Sequence, residues 1–317
     1  EASGDGGSCI DPVRISPAGR RSSSSNPART RGRSCAASRA PDGSARRCSP
    51  GPTFAGVSER PTSRLASTNS PPGSRWRKSS SSFAAARFGL TVDETAQALA
   101  AAGLGDLGRL RAEFASPGRI SDLDPAAAHL EGYLFPDTYR FAHGAGEAEI
   151  ADTFVATFRR LYETRILPQR SVDDRRPLRE LVILASLVEK EAKLDSERPL
   201  IAAVYANRLR RGIGLYADPT IIHALKLLGR WDGNLRKSDL RMDSPWNTYR
   251  VAGLPPGPIC SAGLASLQAA ARPADVSFLY FVSRNDGSHV FADTLAEHNR
   301  NVERWQKRPW RERSAAR

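Results

Sequence analysis

Leu181-Val182-Ile183-Leu184-Ala185-Ser186-Leu187-Val188-Glu189-Lys190-Glu191-Ala192-Lys193 is an apolar run that ends in charge. Good helix formers fill it and neither Gly nor Pro interrupts it, so the pattern predicts a largely buried helix over about residues 178–194. The rest of the chain is expected to be organised around that helix. Its two carboxylates are not equivalent. At about 100° per residue, Glu189 and Glu191 point roughly 200° apart, so a single site holds one of them and hardly both.

Helical neighbours separate the two. Counting back three, four and seven positions from Glu191 finds Val188, Leu187 and Leu184; the same count from Glu189 finds Ser186, Ala185 and Val182, with Lys193 four residues ahead. Glu189 reads as the solvated partner of Lys193. Glu191 reads as the carboxylate on the apolar stripe, where burial should raise it above the ordinary value of about 4.3 and keep it protonated near neutral pH, as a general acid requires. The competing reading is that Glu191 only marks where the buried face emerges into water.

A chain of 317 residues has room for about two domains and a core of real size. The net charge of +13 points first to an anionic partner. Its distribution points away again: residues 1–82 hold 14 basic and 5 acidic side chains, leaving +4 (33 basic, 29 acidic) for everything from Phe83 onward. Those first 82 residues also carry 20 serines and few large apolar side chains, too little to offset ordering entropy, so they are expected to be disordered. As a functional element the tail would be a basic arm for nucleic acid or anionic lipid. As an incidental one it is an unselected tail, and abundant Arg, Ser and Pro with little Lys would also fit translation in a wrong frame. Cys9, Cys35 and Cys48 lie in it and only Cys260 lies beyond; the spacing suggests neither a metal site nor a disulfide framework. No apolar run approaches the roughly 18 residues of a membrane span and no signal-peptide core is visible, so the expectation is a chain without anchor or export signal of its own.

From Phe88 the composition is that of ordinary protein. Thr91 with Glu94 three residues later is a capping box opening a helix that Gly103 closes, and a second short helix is expected through Leu107 to Phe114. The aromatic-rich stretch from His129 to Phe141 is either a strand-turn element closing the core or a lining of aromatics and Glu131 for a cleft. Residues 148–166 form an amphipathic helix with Ile150, Phe154, Phe158 and Leu161 on one face. After the central helix another runs to Arg211 and is closed by Gly212; Asn207 inside it bonds locally or faces something polar. Asp218-Pro219-Thr220 starts a third, with Asp218 as N-cap and Pro219 at the first position, so capping accounts for Asp218. The segments 244–249 and 253–259 are rigid irregular loops suited to a binding wall. Asn285-Asp286-Gly287 signals a hairpin, and a last helix follows over about residues 293–307.

Several of these stretches together resemble one family, the endolytic murein transglycosylases or YceG-like (MltG) proteins. Glu131-Gly132-Tyr133-Leu134-Phe135-Pro136-Asp137-Thr138-Tyr139 is similar to its glycine-aromatic-proline-aspartate block, and Ala185-Ser186-Leu187-Val188-Glu189-Lys190-Glu191 to its catalytic helix. Asn207-Arg208-Leu209, Asp218-Pro219-Thr220, Asn247-Thr248-Tyr249, Gly253-Leu254-Pro255-Pro256-Gly257-Pro258-Ile259, Leu279-Tyr280-Phe281-Val282 and Glu297-His298-Asn299 follow in the family's order. Departures occur at Tyr216-Ala217, ahead of Asp218, and at Ser261-Ala262; they bear on glycan contacts, not on the acid.

The resemblance implies an α+β, mainly helical lytic-transglycosylase-like catalytic domain over 146–308 with a small β-hairpin. Ahead of it come a partial LysM-like module over 83–145 and the disordered tail 1–82, and 309–317 form a basic end. It implies one catalytic glutamate, Glu191, cutting the MurNAc-β-1,4-GlcNAc bond of nascent peptidoglycan strands to leave 1,6-anhydro ends. Asn207, Asp218, Thr220, Asn247 and Tyr249 are its substrate-binding candidates, with Glu131 and Glu189 as supports, and neither metal nor cofactor is called for. Plasma-membrane anchoring with an extracytoplasmic catalytic domain and cell-wall synthases as partners follow from the same resemblance; nucleic acid does not. The alternative is a non-catalytic glycan-binding or scaffold protein of the cell-wall synthesis machinery.

Overall fold

The computed structural model describes residues 88–309 and 311, and the backbone of 81–85; the predicted tail falls outside the described residues except for Ser81 and Ser82, as does most of the basic end. Ser81 and Ser82, the last two residues of the stretch expected to be disordered, open strand β1 (Ser81–Ala85). β1 pairs antiparallel with β2 (Thr138–Ala142), Ser81 opposite Ala142 and Ala85 opposite Thr138. Alternation along β2 turns Tyr139 and Phe141 inward, where Tyr139 packs on Phe154 at 4.3 Å between ring centroids. That resolves the aromatic stretch: it closes the core.

Between the two strands lie α1 (Val92–Ala101) and α2 (Leu107–Ala115). The Thr91 hydroxyl accepts from the Glu94 N–H and the Glu94 carboxylate accepts from the Thr91 N–H, which is the expected capping box. After β2 comes α3 (Glu147–Leu161), with Ile150, Phe154 and Phe158 buried and a π turn continuing it through Tyr162–Ile166. One apolar cluster runs from Ala96 to Ala271 and crosses the 145/146 boundary read from sequence.

Helix α4 (Leu178–Glu191) is the centre of that cluster. Every residue from Leu181 to Val188 is buried, and each fully buried Leu, Ile or Val side chain contributes about 1.5–3 kcal/mol. It packs against α5 (Arg198–Arg210), α6 (Asp218–Leu227) and α7 (Leu264–Ala271). The helix stops at Glu191, three residues before its expected end. Ala192 and Leu194 are extended because the chain must turn back within a few residues for α5 to pack on α4.

Ser186, mid-helix and fully buried, donates to the Ile183 carbonyl and accepts from the Ile259 N–H at 3.1 Å. One hydroxyl thus fastens the 253–259 loop to α4. Gly132 explains the other close approach: it has φ +86°, and a Cβ there would stand 2.7 Å from Pro258 and from Val182. The chain ends in β3 (Tyr280–Ser283) and β4 (His289–Ala292), paired antiparallel as predicted, then α8 (Leu295–Val302) with a π turn to Lys307. Asn285 at φ 67° and Gly287 at φ 95° supply the left-handed residues of the hairpin loop. The architecture is α+β, with two separate two-stranded sheets among the described residues.

Candidate active site

Glu191 is the last helical residue of α4, and the residue is half-buried where the run from Leu181 to Val188 behind it is buried. Desolvation, aided by the like charge of Asp218, raises that carboxyl to about 7; the Tyr205 hydroxyl, 3.5 Å from Glu191 Oε1, and the Arg208 cation act the other way. Near neutral pH it is therefore divided between acid and carboxylate. A group in that state can give a proton and take one back.

Three elements assemble around it. Tyr205 and Arg208 lie three apart on α5 and are buried; Arg208 donates to the Leu279 carbonyl at 2.6 Å and to the Leu215 carbonyl at 2.7 Å. Its guanidinium lies over the rings of Tyr216, at 5.8 Å, and Tyr280, at 5.2 Å, and Tyr280 in turn stacks on His298. Asp218 stands at the start of α6, and Tyr249 donates to its Oδ1 at 2.5 Å.

That bond corrects the sequence reading of Asp218. The cap position belongs to Ala217, and no side chain caps α6; Asp218 is the first helical residue and turns its carboxylate to Tyr249. Burial raises Asp218, its bond to Tyr249 opposing, and burial beside Asp218 pushes Tyr249 above the ordinary phenol range.

The remaining candidates have structural partners. Asn247 is fully buried: its amide donates to the Leu240 and Met242 carbonyls and its Oδ1 accepts from the Tyr249 N–H, which fixes the backbone that carries Tyr249. Thr220 bonds to Thr248 at 3.0 Å and to the Ala217 carbonyl, holding the start of α6 in place. Asn207 donates to the Val276 and Phe278 carbonyls at 2.8 Å each and accepts from Arg210, so it tethers the approach to β3 and faces a groove of about 530 Å³ that does not include Glu191. A second groove, about 580 Å³ and lined by Arg179, Leu254 and Pro255 among others, also lacks Glu191.

Glu189 is not solvated and does not pair with Lys193. Its side chain is 7% exposed, and its Oε2 accepts from the Gly263 N–H at 3.0 Å and from Arg198 at 3.2 Å, clamping α4 to α5 and α7. Glu131 is 3% exposed beneath the start of α1, where its Oε2 accepts from the Val92 N–H; its charged neighbours are Glu94 and Lys190, not Glu191. The structure thus brings Glu191, Asp218 and Tyr249 together and places Asn247 and Thr220 behind them. Tyr205 and Arg208, which the sequence does not single out as candidates, stand beside Glu191 as well; Arg208 lies in the Asn207-Arg208-Leu209 motif, which is the signal that could have found it.

An α+β protein with a raised carboxyl at the end of a buried helix, flanked by an aspartate–tyrosine pair and a stacked arginine, is the class defined by fold and site. The chain belongs to the YceG-like family, whose model matches residues 73–304. It is 36% identical over 177 residues to the endolytic murein transglycosylase of Bacillus subtilis (strain 168), covering 56% of this chain and 48% of that protein. To the endolytic murein transglycosylase of Streptococcus pneumoniae serotype 2 (strain D39) it is 34% identical over 183 residues, covering 56% of this chain and 32% of that protein. The chain thus spans about half or less of the length of these relatives. A crystal structure of a YceG-like protein from Listeria monocytogenes superposes with a TM-score of 0.59 at 30% identity, over 69% of this chain and 76% of that one. Among the described residues, no helix is long and apolar enough to cross a membrane.

Proposed function

We propose that the protein is a lytic transglycosylase acting on peptidoglycan glycan strands. The observation that carries this reading is the position of Glu191: a desolvated carboxyl, raised to about 7, on a half-buried residue at the end of a buried helix. Protonated Glu191 gives its proton to the bridging oxygen as the bond from muramic acid C1 to that oxygen breaks, so N-acetylglucosamine leaves with a free 4-hydroxyl. The muramic acid C6 hydroxyl closes on C1, and its proton returns to the Glu191 carboxylate. The acid is regenerated, water is not consumed, and the new end is a 1,6-anhydro ring. Asp218, held by Tyr249, steadies the positive charge that develops at C1, and the Tyr205 hydroxyl supports the carboxylate form of Glu191 between the two transfers.

The proximity of Asp218 to Glu191 favours a second reading, hydrolysis by two carboxylates, which would leave reducing muramic acid ends. Mass spectrometry of fragments released from glycan strands decides: anhydro ends lighter by one water support the transglycosylase, reducing ends support the hydrolase. No cleavage at all supports a glycan-binding scaffold. With the transglycosylase reading go action outside the plasma membrane, cell-wall synthases as partners, and a LysM-like role for 83–145 ahead of a lytic-transglycosylase-like domain.

A further inference from the structure

Tyr216 takes no part in the proton transfers at Glu191. It is a bulky residue in the left-handed region, φ 49°, where only glycine is at ease. The backbone is pinned there from both sides by Thr248: the Tyr216 N–H donates to the Thr248 carbonyl at 3.3 Å, and the Ala217 N–H donates to the Thr248 hydroxyl at 3.0 Å. Strain of this kind persists only where neighbours over-determine it.

The ring it carries is fixed as well. Arg208 lies 5.8 Å from its centroid, and the Tyr249 ring stands 5.4 Å away at 54°. At Gly214 a Cβ would come within 3.0 Å of the Tyr216 ring, so that glycine leaves the ring its room. The residue nevertheless remains 38% exposed.

We infer that Tyr216 is a sugar-stacking platform: its fixed, exposed aromatic face takes the apolar face of an N-acetylhexosamine ring and so sets a glycan subsite beside Glu191. The placement follows from the chain, since Tyr216 is two residues from Asp218 and packs on the tyrosine that bonds it. A pyranose presents axial C–H bonds to such a face, and a ring already immobilised loses little freedom on contact. The inference rests on the glycan-strand reading of the site.

The test uses the full chain with two readouts, cleavage of purified glycan strands and calorimetric binding of an N-acetylglucosamine tetrasaccharide. Tyr216→Phe should retain KM and Kd. Tyr216→Ala and Tyr216→Gly should raise both by roughly 10-fold while kcat stays within about 2-fold, the scale of one lost aromatic contact. Gly214→Ala, which displaces the ring without deleting it, should raise KM in the same direction. Wild-type cleavage with KM unchanged in Tyr216→Ala overturns the platform and leaves the transglycosylase standing. Binding that depends on Tyr216 without wild-type cleavage supports the platform and removes the transglycosylase. Neither cleavage nor binding overturns both.

Discussion

Two regions of this molecule hold a carboxyl that burial has driven upward, Glu131 beneath the start of α1, at about 8, and Glu191 at the end of α4, at about 7. In the first, the carboxyl is sealed in: one oxygen takes the Val92 N–H and Oε1 has no hydrogen-bond partner. In the second, the helix ends as the carboxyl appears, and tyrosine, aspartate and arginine face it from α5 and α6. Desolvation alone therefore does not mark a site. A raised carboxyl can act where solvent and substrate reach it, and where they cannot it is a cost to folding.

The sharpest way to break this contrast is activity. Glu191→Gln should lose about 10²-fold or more in rate on glycan strands, since an amide cannot donate the proton, while Glu131→Gln keeps most of its activity. The reverse result in a kinetic assay would move the site to the α1 wedge. Next in size is stability at the carboxylate beside Glu191. Glu189→Gln breaks the Arg198 pair and weakens the Gly263 tie, so it should lower unfolding free energy by about 1–3 kcal/mol in a denaturant titration. Activity per folded molecule should survive.

A smaller effect separates the two raised carboxyls by pH. Glu131 is higher folded than unfolded, so its favourable contribution is fully present below about 4.5 and is lost as pH rises through about 8. Glu131→Gln should accordingly match wild type near pH 4 and melt a few degrees higher near pH 9, by calorimetry. The smallest expected change is in the pH–rate profile. Wild-type activity should fall above about pH 7 as Glu191 loses its proton, and Asp218→Asn, by removing a like charge, should move that limb to lower pH. An unmoved limb would show that Asp218 does not act on Glu191.

Much of the fold was legible because it is written locally. The α1 capping box, the amphipathic face of α3, the buried run of α4 and the hairpin signal at Asn285 to Gly287 all depend on residues within one or two turns of each other. The same local logic separated Glu191 from Glu189, because helical spacing alone decides that the two point apart.

What the sequence determined by itself, then, was which residues face which way along each element; it did not rank the burial of the two carboxylates, since the Glu189 side chain is 7% exposed and Glu191 is half-buried. The tertiary structure decided what each polar group meets across a gap in the chain. Glu189, expected in solvent, reaches Gly263; Asp218, expected to cap its own helix, takes the Tyr249 hydroxyl; Arg208 answers carbonyls at Leu215 and Leu279. The physical reason is that a helix turn constrains its neighbours through covalent geometry. A partner dozens of residues away is set only by how the elements pack, and once packed, a buried polar group bonds whichever atom the core has placed within 3 Å.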